Sequence, residues 1–195
     1  MEYRGYDSAG IALHQLDGVA HLRTLGKVQL LEDRMIEEKP RSKLGIAHTR
    51  WATHGEPSET NAHPHKSNEE VFIVHNGIIE NHLELKAELE KEGYSFASQT
   101  DSEIIAHLLD FNLKQGMTMI EAMFVSKEKL DGAYAIAVMH RDDESNLVIA
   151  RQKSPLLIGL GTDEVFAASD PLAISQLTND FIFLEDGDVA EISAD

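Results

Sequence analysis

The sequence has 195 residues, 42% of them apolar, enough for one sizeable core and within the usual range of a single domain. Thirty-four acidic residues against 17 basic ones leave a formal charge of -17, which repels phosphate backbones and anionic membranes and excludes nucleic acid as an expected partner. No apolar run reaches the roughly eighteen residues of a membrane helix, the opening residues lack a signal core, and the absence of cysteine removes disulfides, thiolate metal sites and any thiol nucleophile; the expectation is a cytoplasmic protein.

In chain order, β-type runs come first, at Gly10 to Gln15, Val19 to Leu25 and Leu44 to His48, with a helix between the last two from about Val28 to Glu38. Residues 56 to 68 are rich in Pro, Asn, Ser, Thr and His without apolar periodicity, which predicts a long loop of the kind that carries function. Val71 to His75 predicts a buried strand. Leu83, Leu85 and Leu89 suit an amphipathic helix ending near Gly93, and Ile104, Ile105, Leu108 and Leu109 recur at helical spacing in a second. Thr100-Asp-Ser-Glu103 and Thr118-Met-Ile-Glu121 both have the form of a capping box, the latter opening a third helix that ends near Leu130. Beyond Tyr134 strand signals dominate, at Ala135 to Met139, Leu147 to Ala150, Leu156 to Leu160, Val165 to Ala168, Phe181 to Leu184 and Val189 to Ile192. One short helix is expected among them near Pro171 to Gln176.

No repeat, low-complexity tract or linker divides the chain, so residues 1–195 read as one domain. Strands first, helices in the middle and strands last, with hairpin-length connections, predict an antiparallel α+β fold rather than a doubly wound sheet. The pattern leaves two arrangements open: one sheet with helices on one face, or two stacked sheets between helical layers.

A site for a free amino acid with a side-chain amide needs a forked cation for the α-carboxylate, a carboxylate for the α-ammonium and fixed N–H donors for a developing oxyanion. Arg50 and Thr53 follow a strand and supply the first, Asp101 the second, and Asn76-Gly77 the third. Each residue also has a plainer reading. Asp101 in a helix first turn complements the helix dipole, Asn76-Gly77 is the strongest short hairpin signal, and Arg50 suits a surface ion pair. Of ten histidines, His48, His54, His63, His65 and His75 fall close together, which raises metal binding. With no His-x-x-x-His on a predicted helix and no cysteine, hydrogen-bonded structural roles are favoured, and no metal or cofactor is expected.

Glu2-Tyr-Arg-Gly-Tyr-Asp-Ser-Ala-Gly10, Gly45-Ile-Ala-His-Thr-Arg-Trp-Ala-Thr-His-Gly55, Asn61-Ala-His-Pro-His65, His75-Asn-Gly-Ile-Ile-Glu-Asn81, Thr100-Asp101, Ser154-Pro155 and Ala168-Ser-Asp170 together resemble the glutaminase domain of a type 2 amidotransferase family. That family is the glutamine-fructose-6-phosphate aminotransferases (isomerising), or glucosamine-6-phosphate synthases. The related phosphoribosyl-pyrophosphate amidotransferases have His-Arg-Gly-Gln-Asp and Arg-Tyr-Ser-Thr where this chain has Tyr3-Arg-Gly-Tyr-Asp and Arg50-Trp-Ala-Thr53, which favours the aminosugar branch.

The resemblance implies the αββα four-layer sandwich of N-terminal-nucleophile hydrolases. It also implies that L-glutamine is hydrolysed to L-glutamate and that ammonia passes to fructose 6-phosphate on a sugar-isomerase domain. By it, Arg50, Thr53 and the backbone near His54 bind the glutamine carboxylate, Asp101 the ammonium, and Asn76 with Gly77 the oxyanion. Trp51 belongs to a loop that closes over glutamine, and Arg4 supports the nucleophile's surroundings. The family's nucleophile is a mature N-terminal cysteine, which this sequence lacks. The chain therefore reads as an N-terminally truncated glutaminase domain, its first strand and helix missing, inactive alone and prone to self-association through an exposed sheet edge. The competing readings are a non-catalytic glutamine- or glutamate-binding remnant and the glutaminase domain of a related type 2 amidotransferase.

Overall fold

A computed structural model describes residues 6–51 and 55–193. Its strands are β1 (Ser8–Gln15), β2 (Gly18–Leu25), β3 (Gly45–Arg50), β4 (His65–Ser67), β5 (Val71–Ile79), β6 (Gly132–His140), β7 (Asn146–Gln152), β8 (Leu157–Leu160), β9 (Val165–Ala168), β10 (Asp180–Phe183) and β11 (Val189–Ser193). Its helices are α1 (Val28–Glu38), α2 (His82–Lys91), α3 (Glu103–Lys114) and α4 (Met119–Lys127). Three sheets form, in the orders β2-β1-β3, β10-β8-β9 and β11-β7-β6-β5-β4, and every strand pairing within them is antiparallel.

The central strands of the large sheet are apolar on both faces, as burial on both sides demands. Val71, Ile73, Ile136, Val138 and Val148 turn to one side and pack with Leu85, Leu89, Ile104, Ile105, Leu109 and Met123 of the three later helices. Phe72, Ala135, Ala137, Met139 and Ile149 turn to the other and meet Ala12 and Ile46 of one small sheet and Ile158 of the other. Leu31 of α1 packs with Ala9 and Leu22 on the outside of the first small sheet. The order of layers is helices, large sheet, small sheets, helix: the four-layer αββα sandwich, with the two-sheet arrangement chosen from the two left open.

Four local expectations are corrected. Asn76-Gly77 is no hairpin turn, because β5 continues through it to Ile79 and pairs with β6 along its whole length. The long loop at residues 56–68 ends in β4, a three-residue strand whose Ser67 pairs with Val71 across Asn68 and Glu69, both at positive φ. The capping box forms at Thr118–Glu121 but not at Thr100–Glu103, where α3 begins at Glu103 itself and Ser102 occupies the N-cap without a side-chain bond to the helix. The expected helix at Pro171 to Gln176 shrinks to one 3₁₀ turn, Pro171–Ala173, capped by Asp170, because Ile174 at φ -124 has left helical space.

Candidate functional site

Where β3 and β5 end, the two sheet layers part around a cleft of about 690 Å³. Small side chains make the room: Ala9, Gly10, Ala47, Ala135, Ala137 and Ala168 all line it. A Cβ on Gly10 would meet the His63 carbonyl oxygen at 2.1 Å, so glycine is what lets the 61–65 segment press onto β1. Gly77 is bound more tightly still, with φ +134 and the Ala133 carbonyl oxygen 1.9 Å from any added Cβ.

Arg50, the last residue of β3, is 4% exposed at the cleft wall. Its Nη1 lies 3.2 Å from Asp7 Oδ1, and its Nη2 donates to the Gly55 carbonyl oxygen at 3.1 Å. A buried guanidinium without a carboxylate partner would be costly, so Asp7 holds this fork in place. Trp51 follows at the rim and is 63% exposed. Asn76 and Gly77 line the cleft from β5, and Asp101 lines it from the loop before α3. The cleft thus gathers Arg50, Trp51, Asn76, Gly77 and Asp101, while Arg4, Thr53 and His54 lie outside the described residues.

Asp101 is 4% exposed and not part of the helix, contrary to the dipole reading. Its Oδ2 accepts the Ile79 backbone N–H at 2.7 Å, which ties the loop to the end of β5 just beyond Gly77. Glu103 fixes the loop from below by accepting the N–H of Ala97 at 2.9 Å, the N–H of Ser98 at 2.7 Å and the Ser98 hydroxyl at 2.6 Å, with His107 Nε2 3.6 Å away. Burial alone would raise this carboxyl, but the nearby His107 ring and the bonds from Ser98 and the two backbone amides outweigh it and hold it down to about 2.

That depression makes a pH prediction. A carboxyl held below its unfolded value contributes stability above that value and loses it as pH falls through the folded one. Glu103→Gln is therefore expected to destabilise the chain by roughly 2–4 kcal/mol near neutrality, with the deficit shrinking between about pH 4.5 and about pH 2. Denaturant unfolding of both forms across that window checks it; a deficit independent of pH would contradict the assignment.

Four histidines crowd the same region. The rings of His48 and His63 lie 4.2 Å apart and those of His63 and His65 4.5 Å apart, and His75 Nδ1 sits 2.8 Å from Ser102 Oγ. Burial pushes His48 down to about 4 and His65 to about 3. His63 is driven well below its ordinary value by burial and by the neighbouring imidazoles, and His75 is lowered by burial against the pull of Asp101. Burial thus favours the neutral ring in all four. No group of three or more His, Asp or Glu among the described residues is arranged to hold a metal ion.

Tyr6, Thr100, Ser102 and the Ala/Gly wall also line the cleft; several of them fall within the motif segments, but none was assigned a role from the sequence. The Thr100-Asp101-Ser102 polar run ahead of a predicted helix was the available hint for two of them.

Comparison with known proteins gives a consistent picture. Residues 48–176 match a family described as glutamine amidotransferase domain. The glutamine–fructose-6-phosphate aminotransferase (isomerizing) of Haemophilus ducreyi is 53% identical over 194 residues, and that of Escherichia coli K12 is 54% identical over 194. Each alignment covers 99% of this chain and 32% of the relative, so the chain spans about a third of the relatives' length. Among solved structures, the glutamine phosphoribosylpyrophosphate amidotransferase from B. subtilis, complexed with ADP and GMP, superposes with a TM-score of 0.81 at 26% identity, covering 97% of this chain and 42% of that one. A predicted glutamine amidotransferase from Pseudomonas aeruginosa shares the fold at a TM-score of 0.62 and 13% identity.

Proposed function

The chain belongs to the glutamine amidotransferase domain family, and from that premise we propose that it is the glutamine-binding domain of a glutamine–fructose-6-phosphate aminotransferase. One observation carries the reading. Arg50, Asp101 and the Asn76–Gly77 pair, brought from separate elements, face a single cleft large enough for an amino acid. Free glutamine presents a carboxylate, an ammonium and an amide carbonyl, and these residues offer one complementary group to each.

Arg50 takes the α-carboxylate through its fork, with Thr53 and the backbone near His54 beside it. Asp101 takes the α-ammonium through the oxygen edge not committed to Ile79. Asn76 and Gly77 N–H donate to the side-chain carbonyl oxygen and to the oxyanion that forms when that carbon is attacked. Trp51, exposed at the rim, covers the bound ligand, and Arg4 supports the nucleophile's surroundings. The attacking thiol is supplied by none of the 195 residues, which contain no cysteine.

In the complete aminotransferase, ammonia released here passes to fructose 6-phosphate on a sugar-isomerase domain, and the protein works in the cytoplasm. Among the described residues no helix is long and apolar enough to cross a membrane. The aminosugar branch is preferred over the phosphoribosyl-pyrophosphate amidotransferases because identity is 53–54% to relatives of the former and 26% to a solved structure of the latter.

The 195-residue chain is expected to bind L-glutamine and L-glutamate and to release no ammonia from glutamine. Ammonia production by the purified chain, abolished by Arg50→Lys, would overturn the second half of that statement.

A further inference from the structure

The side chains of β5 alternate between the two cores: Val71, Ile73 and Ile79 enter the helix side, and Phe72 and Val74 the side between the sheets. Asn76 falls in the second set. Its carboxamide reaches across the parting layers, and Oδ1 lies 2.7 Å from Nε2 of His48 on β3. Both residues line the cleft.

An amide oxygen can only accept, so at this distance the imidazole donates and Nε2 carries the proton. The other ring nitrogen supports that assignment. Nδ1 is buried without a hydrogen-bond partner, and a bare lone pair there costs less than an orphaned N–H would. The reverse tautomer would strand that N–H. It would also turn the Asn76 carbonyl oxygen toward the cleft, where it would oppose a ligand carbonyl. Burial draws His48 down to about 4, so near neutrality the ring is a single-proton donor and not a cation.

We propose that His48 is a positioning residue that locks the Asn76 carboxamide by donating Nε2–H to Oδ1, so that Asn76 Nδ2 faces the side-chain carbonyl oxygen of bound glutamine. The proposal rests on the glutamine-binding reading for the identity of the ligand, but not for the lock itself. His48 touches no ligand in this scheme. It acts through Asn76, and its effect is confined to recognition of the amide end.

Two measurements on the 195-residue chain test this. Long-range proton–nitrogen NMR correlation of the free chain is expected to show His48 protonated on Nε2; protonation on Nδ1 overturns the lock whatever the chain binds. Calorimetry then compares L-glutamine with α-aminobutyrate, which keeps the carboxylate and ammonium but lacks the amide. His48→Ala is expected to weaken glutamine roughly fivefold and leave α-aminobutyrate unchanged, with His48→Gln restoring most of the loss because its amide can donate along the same line. Equal weakening of both ligands would mean a merely structural role, and unweakened glutamine would mean no lock; either result overturns the proposal. If the unaltered chain binds no glutamine, the functional reading fails instead, and the tautomer still decides the lock.

Discussion

Arg50→Lys is expected to lower the affinity for L-glutamine by roughly tenfold to a hundredfold while leaving the affinity for γ-aminobutyramide, glutamine without its carboxylate, unchanged. Lysine keeps the positive charge beside Asp7, so the buried partner is not left alone. It cannot keep the planar fork, whose other face reaches the Gly55 carbonyl and whose edge borders the cleft. Arg50→Ala is a harsher change. It removes the guanidinium from beside a carboxylate that is mostly buried, and a loss of about 3–5 kcal/mol in stability is expected with the loss of binding. Calorimetry with the two ligands separates recognition from folding. Equal weakening of both by Arg50→Lys would show that Arg50 shapes the wall without touching the carboxylate.

Asp101→Asn makes the complementary deletion at the other charged end. The amide oxygen of asparagine can still accept the Ile79 N–H, so the tie between the loop and β5 survives. The charge opposite the ligand's ammonium does not. A charge-assisted bond in a site this buried is worth about 1.5–3 kcal/mol, so glutamine is expected to bind roughly tenfold to a hundredfold less tightly. Glutaramate, which lacks the α-amine, should bind the variant and the unaltered chain alike. An unchanged glutamine affinity would assign Asp101 to the Ile79 anchor alone.

Much of this could be read from the chain, and the exceptions have physical causes. Helix α1 runs over the residues its apolar spacing predicts, and β9 likewise, because both are bounded by turn residues and carry a clear period. The strand β4 was hidden because it is three residues long and built of His, Lys and Ser, with pairing to β5 alone defining it. Asn76-Gly77 carries the strongest local turn signal, yet it sits in a strand because β6 offers a partner along its whole length and Gly77 tolerates φ +134. The two-layer arrangement had a trace in the uninterrupted run Val71-Phe72-Ile73-Val74, which only a sheet covered on both faces can bury.

The site divides in the same way. Arg50 was legible because a cation directly after a strand lies at a sheet end, where clefts open. The alanines and glycines that hollow the cleft were not, since a small residue in a strand signals nothing until the opposing sheet is known. His48 was legible only as a histidine with a structural bond. That its partner is the Asn76 carboxamide depends on β3 and β5 meeting across two sheets, a contact between residues 28 positions apart in sequence.

The central claim is that these residues hold free glutamine by its two ends and its amide, and titration of L-glutamine into the purified chain by calorimetry tests it most directly. Saturable one-to-one binding is predicted, weakened when the carboxylate, the amine or the amide is removed in turn as γ-aminobutyramide, glutaramate and α-aminobutyrate. No heat from glutamine at millimolar concentration, or equal affinity for all four compounds, would contradict it.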